Sequence, residues 1–163
     1  MSDNEQRSAR AAEWYRALPS RGLPDALGIE ILELSGQRVV ATMPVDERTR
    51  QPFGILHGGA SVALAETVAS LGASAAVDSE RQVAVGMEIN ANHIRPKSEG
   101  VVRATATPIH IGAKTQVWAI EIVDERGRLI CVSRCTLAIV DRVERGATGD
   151  RESGAAGMPP RGA

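Results

Sequence analysis

Apolar and polar residues alternate along much of this chain, and the alternation is typical of β-strands that are buried on one face. Two such runs, residues 26–35 and 38–45, are separated by Gly36 and Gln37, which predicts a hairpin. Four further runs follow a central segment, and the connections between them are too short for crossover helices. We therefore expect these four strands to be antiparallel neighbours. They are residues 82–96, 101–112, 115–125 and 128–142.

One segment between the two groups of strands, residues 60–77, has the length and spacing of a helix. Leu64, Val68 and Leu71 fall within about 60° of one another on a helical projection, which predicts a stripe that faces the core. A six-stranded antiparallel sheet needs a cover for its apolar face, and the pattern offers only one long helix. The expected class is therefore α+β, with the sheet wrapped around one central helix.

The opposite face of this helix carries small residues around a single carboxylate. Glu66 is the only Asp, Glu, Lys or Arg between residues 51 and 77. A helix face in water normally carries several long polar side chains, so a second copy of the chain, a ligand or both should cover this one. Because twofold symmetry is the most frequent closed arrangement, we expect a twofold oligomer with a site shared between its subunits. The face consists of Gly59, Ala63, Glu66, Ser70 and Ser74.

The composition is that of one ordinary globular domain. Of the 163 residues, 43% are hydrophobic and 24% charged, and the net charge is −1. This balance gives no long-range field to attract nucleic acid or an anionic membrane, so neither partner is expected. The polar start without an apolar run favours the cytoplasm. We divide the chain into an N-terminal segment with a possible short helix (1–25), a folded domain (26–142) and a disordered tail (143–163).

The cysteines and histidines do not indicate a metal site. Cys131 and Cys135 lie on one face of a predicted strand, where a role as small packing residues is the simplest interpretation. Three scattered histidines supply too few ligands at close spacing for a metal ion. We therefore expect neither a metal nor another cofactor.

Two features of the central helix suit acyl transfer. Glu66 is a candidate general base or nucleophile. Gly58 and Gly59 lie at the helix entry, where unpaired backbone N–H groups can hold an oxyanion. The glycines and the carboxylate are roughly 12 Å apart along the helix axis, and an acyl carbonyl could lie between them. Two other interpretations stay open: Glu66 could pair with an arginine of another copy, and the glycines could form only a tight helix entry.

The segment from Gln51 to Glu66, which reads QPFGILHGGASVALAE, resembles the signature of hotdog-fold acyl-CoA thioesterases. The most similar group is the phenylacetyl-CoA and 4-hydroxybenzoyl-CoA (PaaI-like) branch. Residues 92–96 (NHIRP) and 110–112 (HIG) agree with it, and the resemblance spans residues 28–140. It implies a hotdog fold and the hydrolysis of an acyl-CoA to a free acid and coenzyme A.

The resemblance also implies roles for five residues. Glu66 corresponds to the catalytic carboxylate, acting as nucleophile or as general base on water. The N–H of Gly58 corresponds to the group that polarises the thioester carbonyl. Gln51 positions the carbonyl or the water, His57 shapes the helix entry, and Ser70 could orient the water from the side of the neighbouring subunit.

Contacts with coenzyme A are expected in three places. Gly59 is a candidate at the helix entry, and the resemblance adds Arg95 and the turn from His110 to Lys114. Lys114 stands where relatives often carry a hydroxyl or arginine side chain, and it could serve as a point charge for a phosphate. His93 is assigned to the strand itself. The resemblance further implies a homo-oligomer, either a dimer or a tetramer of two dimers.

Three other functions compete with acyl-CoA hydrolysis. An α/β-hydrolase esterase needs a G-x-S-x-G elbow and a larger parallel sheet, and the sequence has neither. A hotdog hydratase or dehydratase would pair His57 with Glu66 as acid and base. A non-catalytic acyl-CoA binder is disfavoured because an unneeded buried charge costs stability. Small or flexible residues near Val62 and Met87 are compatible with an aromatic or a medium aliphatic acyl group, and an aryl-CoA is the first choice.

Overall fold

The structure, a computed structural model, describes residues 2–142. The tail predicted at residues 143–163 lies outside the described residues. Two helices come first, one long helix lies in the middle, and six strands complete the fold. They are α1 (Asp3–Ala17), α2 (Leu23–Ala26), β1 (Glu30–Leu34), β2 (Val39–Pro44), α3 (Gly58–Ala76), β3 (Gln82–His93), β4 (Val101–Ile111), β5 (Thr115–Asp124) and β6 (Leu129–Asp141).

The six strands form one antiparallel sheet in the order β1-β2-β4-β5-β6-β3. The predicted hairpin of β1 and β2 is confirmed. The expectation that the four later strands are consecutive neighbours is wrong for β3, which pairs with β6 instead of β4. Residues 94–100 join β3 to β4 and reach roughly 23 Å when extended. They can therefore cross the two intervening strands, which need about 14 Å, and β3 becomes an edge of the sheet.

Helix α3 lies across the sheet and contacts all six strands. It begins at Gly58, two residues before the predicted start, because the side chain of His57 caps it. The predicted core stripe is confirmed, since Leu64, Val68 and Leu71 are buried. A six-stranded antiparallel sheet around one long helix is the hotdog arrangement that the sequence resemblance implies.

The N-terminal helix α1 is longer than the short helix expected from the sequence. The Ser2 hydroxyl accepts a hydrogen bond from the Glu5 N–H (3.4 Å), and the Glu5 carboxylate accepts one from the Ser2 N–H (2.6 Å). This capping box starts the helix at Asp3. Tyr15 is buried in the core, and α1 packs against α3. Within residues 2–142, no helix combines the length and the apolar character that crossing a membrane requires.

Gly72 allows α3 to pack closely on the sheet. A Cβ atom at this position would lie 2.5 Å from Cη2 of Trp118, which is closer than side chains pack. The Trp118 side chain is fully buried, and its indole N–H donates a hydrogen bond to Oε1 of Gln116 (3.0 Å). The indole therefore has little space to move away from a methyl group at position 72.

Gly72→Ala is expected to lower the free energy of unfolding by about 1–3 kcal/mol, because the added methyl group overpacks the core. Urea denaturation followed by circular dichroism measures the loss. Combining it with Trp118→Phe should give a loss smaller than the sum of the two single losses, because the smaller ring relieves the clash. A Gly72→Ala variant as stable as the wild type would show that α3 and β5 do not approach this closely.

Candidate active site

The loop before α3 is fixed by backbone hydrogen bonds to two other segments. The N–H of His57 donates to the carbonyl of Thr49 (2.8 Å), and the N–H of Leu56 donates to the carbonyl of Lys97 (2.7 Å). Gln51 stands half-buried at the start of this loop. The loop therefore presents Gln51 and the start of the helix as one rigid unit.

The two glycine amides at the helix entry differ in their bonding. The N–H of Gly59 donates to Nδ1 of His57 (2.8 Å), so that the imidazole caps the helix. Because Nδ1 accepts this bond, a neutral His57 carries its proton on Nε2. The N–H of Gly58 has no acceptor among residues 2–142. Of these two backbone N–H groups, that of Gly58 is therefore the one available to an acceptor from outside the described residues.

His93 lies directly over Gly58. A Cβ atom at Gly58 would lie 2.7 Å from Nε2 of His93, so only a glycine leaves space for the imidazole at its observed position. The sequence pattern favours a strand role for His93 over a role in the site, and His93 does end β3. The alternation along a strand predicts the face of the sheet on which a side chain lies. It does not predict which distant loop packs against the end of that strand. The NHIRP similarity was the only signal in the sequence that marked this region.

Glu66 lies beside the edge strand. Its Oε1 would be 3.2 Å from a Cβ atom at Gly86, next to the point where the pairing of β3 with β6 shifts register. In the single chain Glu66 is exposed, and the rest of the small-residue face is open or half-buried. The face predicted to be covered by a second copy or a ligand is thus a surface of the isolated chain.

The surroundings of Glu66 include a second carboxylate and a thiol. Burial, with the nearby charges of Glu66 and Glu88, raises the pKa of Cys135 to about 11. Cys131 and Cys135 are both buried and free, as expected of packing residues. The exposed Glu88 accepts a hydrogen bond from the Asn90 amide (2.9 Å). Glu66 has no such partner among the described residues, so no other side chain there holds its carboxylate in place.

The other predicted site residues are spread over the chain. Ser70 is half-buried one turn beyond Glu66 on α3. Arg95 follows the last residue of β3 by two positions, and its Nη1 donates to the carbonyl of Leu129 (2.8 Å). The turn that ends at Lys114 lies at the opposite end of the sheet. One chain therefore does not bring Arg95 and Lys114 together.

Two cavities in the described part of the chain lie away from the Glu66 carboxylate. One of about 610 Å³ lies between the β3–β4 and β5–β6 connections. Another of about 680 Å³ lies between α1, the end of α3 and the start of β3. Glu66 lines neither of them. A substrate at Glu66 would consequently bind to an open surface unless a second chain covers it.

Known proteins match this chain along most of its length. The family model described as the thioesterase superfamily matches residues 53–131. The 1,4-dihydroxy-2-naphthoyl-CoA hydrolase of Escherichia coli is 53% identical over 128 residues, which cover 78% of this chain and 93% of that protein. A crystal structure of a thioesterase from Haemophilus influenzae matches with a TM-score of 0.74 at 44% identity, covering 90% of this chain and 96% of that one.

A thioesterase from Staphylococcus aureus has been solved as two variants. One replaces a glutamate by alanine; it matches with a TM-score of 0.72 at 43% identity and covers 74% of this chain and 99% of that one. The other replaces a glutamine by alanine; it matches with a TM-score of 0.70 at 44% identity and covers 72% of this chain and 97% of that one. The two substituted positions are fifteen residues apart. Matches of this level and extent, together with the shared fold, mean that the chain belongs to the thioesterase superfamily and is a thioester hydrolase.

Proposed function

We propose that this protein hydrolyses an aromatic acyl-CoA to the free acid and coenzyme A. The proposal rests above all on the position of Glu66, which is the only charged residue on its helix and lies beside an edge strand. As general base, Glu66 removes a proton from water while the water oxygen bonds to the thioester carbon. The C–S bond then breaks, and the sulfur leaves as a thiolate that takes up a proton. As nucleophile, Glu66 would form an anhydride that water cleaves.

A single chain cannot apply both catalytic groups to one carbonyl. Gly58 and Glu66 are eight residues apart on one continuous helix, which separates them by roughly 12 Å along its axis. A polarising N–H and a general base must each lie within about 3 Å of the atoms on which they act. Two α3 helices that face each other in opposite directions would place Gly58 of one chain near Glu66 of the other. Each active site would then lie between two subunits.

The edge strand β3 supports such a dimer. Long exposed edges are normally covered, and this one carries Val85 and Met87, which are 48% and 64% exposed. Two β3 strands can pair in antiparallel fashion about a twofold axis and continue the sheet. This pairing would bring Arg95 of one chain to the end of the sheet where the other chain presents Lys114. A tetramer of two such dimers follows from the family resemblance alone.

Four side chains are positioned to assist. The Gln51 amide and the Ser70 hydroxyl have no hydrogen-bond partner among the described residues and remain available for the carbonyl or the water. His57 holds the helix entry, and His93 covers Gly58. The spacing of the substituted glutamine and glutamate in the Staphylococcus aureus thioesterase equals that between Gln51 and Glu66, which supports both assignments.

The aromatic acyl group is supported by the matched relatives. The Escherichia coli protein is named for an aromatic thioester, 1,4-dihydroxy-2-naphthoyl-CoA. Gly86 and the small residues of the α3 face leave space beside Glu66 for a flat ring. Glu66 and Gly58 thus define where the reaction occurs, and the shape of the surrounding surface selects the acyl group.

A panel of thioesters tests this proposal. Free thiol release is measured for an aryl-CoA, a saturated alkyl-CoA and an enoyl-CoA, and the aryl-CoA is expected to have the highest kcat/KM. Binding of all three without thiol release would make the protein an acyl-CoA binder. Hydration of the enoyl-CoA without thiol release would make it a hydratase. Either result would overturn the proposal.

A further inference from the structure

Glu125, in the turn between β5 and β6, holds the connection that joins β3 to β4. Its Oε2 accepts a hydrogen bond from Nζ of Lys97 (2.5 Å), and its Oε1 accepts one from the backbone N–H of Val101 (2.6 Å). Gly100 makes this approach possible, because a Cβ atom at Gly100 would overlap Oε1 of Glu125. One carboxylate therefore fixes both the middle of the connection and the start of β4.

The turn that carries Glu125 is itself held in place by its neighbour in the sequence. The Asp124 side chain is fully buried and accepts hydrogen bonds from the backbone N–H groups of Arg126 (3.0 Å) and Arg128 (2.9 Å). Nε of Arg128 donates a further hydrogen bond to the same carboxylate (2.8 Å). The backbone that presents Glu125 therefore has little freedom to move.

Lys97 connects this carboxylate to the start of α3. Its carbonyl accepts a hydrogen bond from the N–H of Leu56 (2.7 Å), and Leu56 comes two residues before Gly58. Its ammonium group is held by Glu125. Within the described part of the chain, residues 96–99 take part in no other hydrogen bond. The position of the Lys97 carbonyl, and with it that of the helix entry, therefore depends on the bond between Lys97 and Glu125.

The Lys97 ammonium needs this partner to stay where it is. Its side chain is only 13% exposed, and Glu125 is the one carboxylate within ion-pair distance of it among residues 2–142. Burial of an unpaired ammonium group is costly, so the side chain would turn away once the charge at position 125 is removed. The cavity of about 610 Å³ that both residues line gives it the space, and the exposed Glu99 on the same cavity offers another carboxylate. The connection would then shift with Lys97.

We propose that Glu125 is a positioning residue for the reaction and that it sets the place of the Gly58 amide through Lys97. The proposal rests on the function proposed above and on the role given there to the Gly58 N–H, and it adds a residue that does not touch the reacting atoms. An amide that polarises a carbonyl is sensitive to small shifts, since a displacement of about 1 Å can cost about a hundredfold in rate. A partial shift at the helix entry should therefore lower kcat and leave KM little changed.

Glu125→Gln tests the proposal by kinetics, because it removes the charge but keeps the size of the side chain and an oxygen that can accept the Val101 N–H. It is expected to lower kcat for thiol release about tenfold, with KM within about twofold of the wild type. Glu99→Gln is the matched control, because it removes the same charge from the same cavity wall, and its kcat should equal that of the wild type. An unchanged kcat in Glu125→Gln, or equal losses in the two variants, would overturn the proposal.

A cycle with Gly58→Ala separates positioning from a general loss of stability. The amide is already displaced in the Gly58→Ala background, so adding Glu125→Gln should lower kcat by less than about twofold more. All values of kcat are referred to the folded fraction, which circular dichroism measures. A further loss of about tenfold in the double variant would mean that Glu125 acts elsewhere than at the helix entry, and the proposal would fail.

Amide hydrogen exchange followed by NMR tests the same link without any reaction. The N–H of Leu56, which donates to the Lys97 carbonyl, should exchange about tenfold faster in Glu125→Gln than in the wild type and no faster in Glu99→Gln. An unchanged exchange rate at Leu56 in Glu125→Gln would refute the positioning role even if acyl-CoA hydrolysis is confirmed. Faster exchange in a protein that hydrolyses no thioester would refute only the proposed function.

Discussion

Replacing Glu66 by alanine is expected to lower kcat for thioester hydrolysis about a thousandfold, the usual range for loss of a general base or nucleophile. The substitution removes the only charged residue of the α3 face that lies beside the edge strand. Glu66 is exposed in the single chain and makes no hydrogen bond among the described residues, so the fold should survive. Steady-state release of free thiol measures the change in kcat.

Glu88 provides the matched control for this variant. Its carboxylate also lies near Cys135, but it is hydrogen-bonded to Asn90. Glu88→Gln removes a charge of the same sign from the same region and should keep kcat within about threefold of the wild type. Equal losses in the two variants would indicate a general effect of local charge, and an active Glu66→Ala variant would exclude Glu66 from the chemistry.

Gly58→Ala is expected to lower kcat about a hundredfold. The new Cβ atom would lie 2.7 Å from Nε2 of His93, so either the imidazole or the first turn of α3 must move. An amide that polarises a carbonyl loses most of its effect when it is displaced, and the loss of one such donor costs about a hundredfold or more. Thiol release at saturating substrate gives kcat.

Gly72→Ala is the comparison for this second variant, because it adds the same methyl group to the same helix. Its clash is with the buried indole of Trp118 and not with the helix entry. Gly58→Ala should therefore lower kcat with little change in melting temperature, whereas Gly72→Ala should lower the melting temperature with little change in kcat. If the Gly58→Ala variant loses activity only in proportion to unfolded protein, the amide has no special role.

The sequence alone predicted the six strands, the central helix and the core side of α3, because all of these depend on local periodicity. Leu64, Val68 and Leu71 repeat at helical spacing and are buried, and β4, β5 and β6 alternate between more and less buried residues along much of their length. The position of β3 at the sheet edge was not predictable in this way. The seven residues between β3 and β4 permit either a tight hairpin or a crossing, and periodicity does not distinguish the two.

The candidate site was predictable where it lies within one stretch of sequence and not where distant stretches meet. Gln51, His57, Gly58 and Glu66 belong to a single motif around the start of α3. The position of His93 over Gly58 depends on how the end of β3 meets the helix entry, which no local pattern records. The separation of Arg95 from Lys114 likewise depends on the sheet order and not on the sequence around either residue.

The central claim is that Glu66 of one chain and Gly58 of another act on the same thioester. The direct test is to co-express Glu66→Ala and Gly58→Ala chains with two different tags and to measure kcat of the assembled mixture. If the active site is shared, a mixed dimer has one doubly substituted site and one intact site, and random mixing should restore about a quarter of the wild-type activity. A mixture no more active than the average of its two parents would contradict the account and place both groups within one chain.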